Sequence, residues 1–313
     1  MNIDKLTYFS YLSIKYNILF PLKKFMSYQE VKAASNKMTF KNKFFPLPFF
    51  LSANASDIKD IRNNKIDLFF EKKFIGSVDI ASISSFNKNE IANILFKKNS
   101  KSLKHPYLDY LKSSGDFLIE TRDFTVNTIK NKIKKNYIGF ATRNIPHKGH
   151  EKIIKYFAKQ QKILVHVFED SSKNKRINSQ KTVKAYKQFI RKNSLINKVD
   201  LKKIRLPSFL LGPRQAAIHA IIGRNLKCTK FIIGRDHSGY KNFYKTFDSF
   251  NFCKKNEKKI KIKIIASGSP IFCKICKKIV FRKDCNCNYF IDISASLIRK
   301  TKNKNLKNIL TNF

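Results

Sequence analysis

The rhythm of hydrophobic and polar positions changes near residue 136. Upstream, the apolar runs are short and separated by turn residues. Residues 66–70 and 74–80 are two β-rich runs, and Glu71-Lys72-Lys73 between them predicts a hairpin turn. Residues 44–51 form an apolar run broken by Pro46 and Pro48. Proline cannot donate to a strand ladder, so this run is an edge or an extended entry strand. His105-Pro106-Tyr107 precedes a short helix, and Gly115-Asp116 is a turn before the strand at 117–119. No repeat and no low-complexity linker is present.

Downstream, short apolar runs alternate with segments of helical period. Residues 137–141 read as a buried strand and 142–146 as a polar loop. Residues 148–160 carry Ile153, Ile154 and Phe157 at helical spacing. A strand at 163–168 and a helix at 181–191 follow. Gly212-Pro213 opens another helix, with proline at its first position, that stops near Asn225. Residues 231–233 form a buried strand, and Ile260, Ile262 and Ile264 alternate with lysines as one more half-exposed strand is expected to do. Strand and helix alternating in this way predict βαβ units and a parallel sheet, hence an α/β fold.

Length and composition bound the rest. At about 150 residues per domain, 313 residues predict two domains. A hydrophobic content of 42% is too high for a disordered basic tail, and six cysteines are too few for a disulfide-dense secreted scaffold. No apolar run approaches the roughly 18 residues of a membrane span, and the N-terminus lacks the pattern of a signal peptide, so a cytoplasmic protein is expected. The formal net charge is +44. The 65 basic residues are 54 lysines and 11 arginines, Trp is absent and Gly is 9. Lys, Asn, Ile and Phe are the residues of AT-rich codons, and the lysines are spread along the whole chain. That favours a genomic bias over a nucleic-acid-binding face, although a polyanion-binding surface remains the other reading. The scarce arginines gain weight: Arg143, Arg214, Arg235 and Arg299 fall where Gly, Pro or His signals cluster, as do His147, His150 and His237.

Four constellations carry chemistry. Thr142-Arg143-Asn144-Ile145-Pro146-His147-Lys148-Gly149-His150 lies between a strand and a helix, at the carboxyl edge where parallel sheets bind ligands. His147 and His150 share one face of the first turn, where free N–H groups and the helix dipole attract phosphate. Histidine titrates near neutrality, so their donor strength is expected to depend on pH. Gly149 allows close approach of a ligand, and Arg143 adds a charged fork for an oxyanion. The alternative is a plain helix start with two solvent-exposed histidines. Gly234-Arg235-Asp236-His237-Ser238-Gly239 follows another strand, at the same kind of edge. Ser294 and Ser296 before Arg299 fit either a helix cap or a phosphate contact, with capping favoured. Cys273, Cys276, Cys285 and Cys287 have the spacing of a four-sulfur structural zinc site, against the alternative of unpaired thiols. Cys228 and Cys253 read as buried small hydrophobes.

Taken together these residues resemble the ATP sulfurylase (sulfate adenylyltransferase) family. The family's Gln-x-Arg-Asn-x-x-His-x-x-His is similar to Ala141 through His150, and its Gly-Arg-Asp-His-Ala-Gly to Gly234 through Gly239. Its Ala-Gly-Pro-Arg-Glu-Ala helix start resembles Leu211-Gly212-Pro213-Arg214-Gln215-Ala216, followed by His219-Ala220. Its Ile-Ser-Gly-Thr-x-x-Arg resembles Ile293 through Arg299, and its His-Pro-Gly…Gly-Asp stretch resembles His105-Pro106 through Gly115-Asp116. The resemblance implies a PUA-like β-rich domain at 1–135, a Rossmann-like parallel-sheet nucleotidyltransferase domain at 136–266, and a C-terminal zinc-knuckle and helical region at 267–313, with no kinase domain after it. It implies conversion of sulfate and MgATP to adenylyl sulfate and pyrophosphate, or the reverse, in a homo-oligomer. In that scheme Arg143 and the Ser238 backbone bind sulfate. Arg143, Asn144, His147 and His150 hold the phosphates, with Thr142 in the same loop. Arg235 stabilises the transition state, and Gly234, Asp236 and His237 line the nucleotide pocket. Mg²⁺ rides on the phosphates, and Zn²⁺ is structural. Three departures stand out: Ala141 replaces the family's Gln, Ser238 its Ala, and Ser294-Ala295-Ser296 its Ser-Gly-Thr. Two rival readings are a related nucleotidyltransferase with another acceptor and a non-enzymatic, basic PUA-like RNA binder.

Overall fold

A computed structural model of the protein describes residues 1–96, 104–124, 136–169 and 179–311. The domain junction expected at 135 falls outside them. The N-terminal part runs α1 (Lys5–Lys15), α2 (Tyr28–Asn36), β1 (Thr39–Phe40), β2 (Lys43–Phe44), β3 (Leu51–Ala53), α3 (Ala55–Lys59), β4 (Lys65–Phe70), β5 (Lys73–Ser85), α4 (Lys88–Phe96), α5 (Pro106–Ser113) and β6 (Phe117–Thr121). Strands β3-β6-β5-β4 form an antiparallel sheet in that order. The hairpin expected around 71–73 is there, turned by Glu71 and Lys72 alone, at φ 50° and 63°. Both central residues in left-handed backbone make the tight turn whose twist matches two antiparallel strands. Residues 45–50, between β2 and β3, are mostly buried, and β3 enters at the sheet edge, as the prolines require.

The central part runs β7 (Tyr137–Thr142), α6 (Lys148–Ala158), β8 (Ile163–Glu169), α7 (Ser179–Lys192), β9 (Val199–Arg205), α8 (Gly212–Asn225), β10 (Cys228–Ile233), α9 (Asp248–Lys255), α10 (Glu257–Ile260) and β11 (Lys263–Ala266). All four strand pairings are parallel, in the order β11-β10-β7-β8-β9. One expectation fails here. Ile260, Ile262 and Ile264 do not share a strand: Ile260 ends α10, and Lys261 at φ 61° turns the chain before β11 begins. All three isoleucines are buried, so a period of two arose from a turn that directs each of them inward. The polar edge strand β9 and the helix α9 were not anticipated; in β9, three of the seven positions are exposed, which blurs the apolar signal.

The C-terminal part contains β12 (Pro270–Cys273), β13 (Lys278–Phe281) and β14 (Phe290–Asp292), an antiparallel sheet ordered β13-β12-β14, then α11 (Ala295–Lys300) and α12 (Lys304–Leu310). Two cores hold these parts together. Helices α6 and α7 cover one face of the parallel sheet with Ile153, Ile154, Phe157, Tyr186 and Phe189. Helix α8 covers the other face, and its apolar residues are continuous with those of the N-terminal part. The seam between them is pinned by Arg214, whose Nη1 donates to the carbonyls of Ala34 (3.3 Å) and Pro46 (3.0 Å). Among the described residues no helix is long and apolar enough to cross a membrane.

The Phe231 ring of β10, which Gly223 of α8 also adjoins, leaves Gly139 of β7 no room for a side chain. A Cβ there would meet the Phe231 ring at 2.5 Å. Gly139→Ala should therefore destabilise the protein by about 1–3 kcal/mol through overpacking, read as a lower urea midpoint at unchanged slope.

Candidate functional site

The sheet order sets the site. From β7 the chain moves outward through β8 to β9, then crosses back to β10 on the other side of β7. The carboxyl ends of β7 and β10 are thus neighbours at the topological switch point, where such sheets leave a crevice. The loops after these two strands are the two polar constellations of the sequence. They open on a cavity of about 1070 Å³.

His147 is the N-cap of α6, and its Nδ1 accepts the N–H of His150 at 3.4 Å. A neutral imidazole that accepts at Nδ1 carries its proton on Nε2. His147 therefore presents an N–H donor. Its ring stacks on that of His150 with centroids 3.8 Å apart, and His150 Nδ1 lies 3.1 Å from the Tyr186 hydroxyl. Gly149 serves this arrangement directly. A Cβ on it would stand 3.1 Å from the His147 ring and 3.2 Å from Ile293, so its small size accommodates the capping ring, and Gly149 itself lines the cavity.

Opposite, Gly234, Arg235, Asp236 and His237 line the cavity after β10. Arg235 Nη1 pairs with Asp292 of β14 at 2.8 Å. Arg299 of α11 reaches across to donate to Asn144 Oδ1 at 3.0 Å, and an isolated bridge joins His147 to Thr311. Ser294 caps α11 by accepting from Leu297 N–H, as the capping alternative expected. The C-terminal part thus forms one wall of the cavity. Among the described residues Arg235, Lys241, Lys245 and Arg299 line it with Asp236 as the single carboxylate, which suits a polyanion.

Of the residues singled out by sequence, Asn144, His147, His150, Gly234, Arg235, Asp236 and His237 converge on this cavity, and Ala141 is on its wall. Thr142, Arg143 and Ser238 are not among its lining residues. Thr142 Oγ1 accepts from Asn144 N–H at 3.1 Å and shapes the loop. Arg143 donates to Ser208 Oγ. Ser238 takes left-handed backbone at φ 58°, and its carbonyl accepts from Gly212 N–H at 3.1 Å. Sequence reasoning missed Lys241, Lys245, Asp292 and Tyr186. Two lysines among 54 carry no signal, and the other two act only through residues distant in sequence.

The four cysteines behave as expected from their spacing. Their Sγ atoms all lie within 4.8 Å of one another, and Cys276 and Cys287 are 3.6 Å apart. A tetrahedral zinc with bonds of about 2.3 Å would set its sulfurs about 3.8 Å apart, so the thiols fit such an ion. The N–H of Cys276 points at Cys273 Sγ (3.3 Å) and lowers that thiol to about 7, while hydrogen bonds among the thiols raise Cys276 and Cys287, so these thiols share protons as a single cluster. Cys228 and Cys253 are buried, and burial pushes both thiols up to about 12.

A family model described as ATP-sulfurylase matches residues 118–308. The chain belongs to the ATP-sulfurylase family. A PUA-like domain model matches residues 1–121. A sulfate adenylyltransferase of Ignicoccus hospitalis is 24% identical, over 92% of this chain and 81% of its own length. That of Carboxydothermus hydrogenoformans is 22% identical over 96% and 85%, and that of Pyrococcus abyssi 23% over 92% and 80%. Among solved structures, a hexameric APS kinase from Thiobacillus denitrificans has a TM-score of 0.65 at 12% identity, covering 96% of this chain. The chain spans 57% of that structure's length, and at this identity the likeness shows the fold alone.

One expectation for a member of the ATP-sulfurylase family changes. The histidines do not titrate near neutrality. Burial, with Arg299 nearby, lowers His147 to about 4; burial, with Arg143 nearby, lowers His237 to about 4; and burial holds His150 well below its usual value. In the unfolded chain these rings protonate near pH 6.5. Between about 6.5 and 4 the unfolded state therefore binds more protons, and stability present above pH 6.5 is lost on acidification. The thermal midpoint should be insensitive to histidine titration above pH 7 and fall between pH 6.5 and 4. Each ring contributes up to about 1.4 kcal/mol per pH unit.

Proposed function

We propose that this chain is a sulfate adenylyltransferase whose active site is the cavity between the β7 and β10 loops. The observation that carries the reading is the convergence, on one cavity, of the His147–His150 pair at a helix start and Arg235 on the adjacent loop. A sulfate oxygen attacks the α-phosphorus of ATP in line. One P–O bond forms as the α–β bridging P–O bond breaks, and the electron pair leaves on pyrophosphate. Sulfate is a weak nucleophile, and the phosphate repels it. The site's task is positioning and charge neutralisation, with no covalent enzyme intermediate.

In this reading the Nε2–H of His147 and the His150 ring, with Asn144, hold the triphosphate at the N-terminus of α6. Their neutrality is an advantage there, because donors that need no proton keep their strength across the physiological range. Arg235 supplies permanent charge where it builds up on the leaving oxygen, held by Asp292. Gly234, Asp236 and His237 line the nucleotide side. Arg143, close enough to the lining residue His237 to add to the lowering that burial imposes on its pKa, and the Ser238 backbone in the next loop position hold sulfate, while Thr142 keeps the first loop in shape. Among the described residues the four cysteines are the one group of three or more ligating side chains. Mg²⁺ accordingly arrives on the phosphates, since it prefers phosphate oxygens and water, and it offsets their charge. Zn²⁺ is the ion for the cysteines, in a closed structural site. The division into 1–135, 136–266 and 267–313, a cytoplasmic location and a homo-oligomer complete the proposal; the similar protein from Thiobacillus denitrificans is described as hexameric.

Adenylyl sulfate, pyrophosphate and Mg²⁺ added to purified protein should yield ATP, read by luminescence. Arg235→Ala should lower turnover about 10²–10³-fold, the usual effect of removing one transition-state donor. His147→Ala should do likewise while costing about 1 kcal/mol of stability as a lost cap. Protein that binds ATP but makes none from adenylyl sulfate would exclude this activity and point to another acceptor. Ala141→Gln adds a hydrogen bond to a charged group, so the sulfate KM should fall about 10–100-fold.

Elemental analysis should find one zinc per chain, lost in Cys276→Ser. Removing it should loosen β12 and β14 and lower the thermal midpoint along with turnover, since β14 carries the partner of Arg235. Full turnover from metal-free protein would disconnect the two sites.

A further inference from the structure

His237 lines the cavity, but one edge of its ring belongs to a buried chain of polar groups that begins in the loop before α8. Gln215 is 1% exposed. Its Oε1 accepts the backbone N–H of Phe209 at 3.0 Å, which fixes which end of the amide is oxygen. Its Nε2 then has two hydrogens and two acceptors. One is the carbonyl of Pro207 at 3.1 Å, and the other is His219 Nε2 at 3.3 Å. An imidazole nitrogen facing an amide N–H must be the unprotonated one, so the proton of His219 sits on Nδ1. His219 Nδ1 lies 2.9 Å from His237 Nε2 and donates to it; the Ser238 hydroxyl, at 3.5 Å from the same nitrogen, is the more distant neighbour. His237 Nε2 is thereby an acceptor, and its proton sits on Nδ1. Among the described residues nothing accepts from that Nδ1–H.

We propose that Gln215 and His219 are positioning residues that lock His237 as the Nδ1–H tautomer, so that it meets the nucleotide as a hydrogen-bond donor. The direction of every bond in the chain follows from one backbone N–H, that of Phe209. The chain holds its geometry because His219 is 7% exposed and its ring stacks on Phe168 with centroids 4.2 Å apart. The Ser249 hydroxyl fixes the next element by donating to the carbonyl of His237 at 2.8 Å. Both rings stay neutral: burial first, then the neighbouring ring for His219 and Arg143 for both, holds them below the usual range. A carboxylate in place of the Gln215 amide would reverse the polarity. It would accept from His219 Nε2–H, His219 Nδ1 would then accept from His237 Nε2–H, and His237 would present a bare Nδ1. Residue 215 thus decides whether His237 offers the ligand a donor or an acceptor.

The tautomers are measurable on the full chain, labelled with ¹⁵N-histidine, from two-bond ¹H–¹⁵N correlations at pH 7.5 without ligand. There are six histidines, so His237 is assigned from the signals lost in His237→Asn. The expected result is Nδ1–H at both His219 and His237, with His237 switching to Nε2–H in Gln215→Glu. If that variant does not fold, His219 decides the matter. His219→Asn keeps an amide donor near the Nδ1 position and should leave His237 as Nδ1–H. His219→Phe keeps the stack on Phe168, lacks the N–H, and should release His237 toward Nε2–H. Nε2–H at His237 in the unmodified protein overturns the proposal, as does an unchanged His237 in His219→Phe. The nucleotide half rests on the function proposed above. There, His219→Phe should raise the KM for ATP about tenfold and His219→Asn should restore it; equal KM values overturn that half. The tautomer arm uses no substrate, so it is decided even if the chain transfers no adenylyl group.

Discussion

The structure depends on one constraint, the parallel pairing of β7 with β10 on one side and β8 on the other. Parallel strands align their carboxyl ends, and reversing direction at β7 brings the two loops that follow β7 and β10 to the same point without any contact having to pull them together. The cost of that pairing is a close approach of α8, which Gly139 and Gly223 accept by leaving room for the Phe231 ring. The apolar face of α8 then has a second surface to cover, and the N-terminal part packs there in one continuous core. The N-terminal sheet therefore supports the site from behind, with Arg214 satisfying backbone carbonyls at the seam.

Burial divides the labour in the cavity between two kinds of donor. Histidines sealed into caps and stacks lose their charge, because desolvation penalises the protonated ring. What they keep is direction: each is held by a hydrogen bond at one nitrogen and offers the other. Charge is left to residues that cannot lose it. Arg235 and Arg299 are tied to Asp292 and Asn144 rather than free in solvent, so their guanidinium groups are already oriented when an anion arrives. For the transfer proposed above, a site with this division would work by preorganisation, with no proton supplied by the protein.

Much of this was legible in the sequence, for specific physical reasons. Strands β7, β8 and β10 are short apolar runs, because both faces of a parallel sheet are covered, and the loops after β7 and β10 carry Arg, Gly and His in a chain that otherwise uses lysine. The hairpin at Glu71-Lys72 and the cap at Ser294 are local, so local residues announce them, whereas His147, expected within the first turn of α6, caps that helix from outside. What escaped was relational. Ile260, Ile262 and Ile264 match a strand because alternation records only that each side chain is buried, and a turn at Lys261 achieves that as well as a pleat does. Asp292 looks like any acid until β14 is paired with β12, and Tyr186 like any core aromatic until its hydroxyl is found beside His150. Neutral histidines were invisible for the same reason, since burial is a property of the packed chain and not of the residue type.

The C-terminal part shows how far such relations reach. Its sheet has only three short strands, and four thiols gather at the end of β12, in the turn after it and just before β14. Cys273 is the last residue of β12 and pairs with Phe290, two residues before Asp292. The same part supplies Arg299 to Asn144 and Thr311 to the cap residue His147. A metal held by these thiols, as proposed above, would bear on both halves of the crevice without touching substrate, through Asp292 on the β10 side and through α11 and Thr311 on the β7 side. In a chain of this composition, where lysines are plentiful and individually replaceable, the few arginines are effective because the rest of the fold is arranged to hold them still.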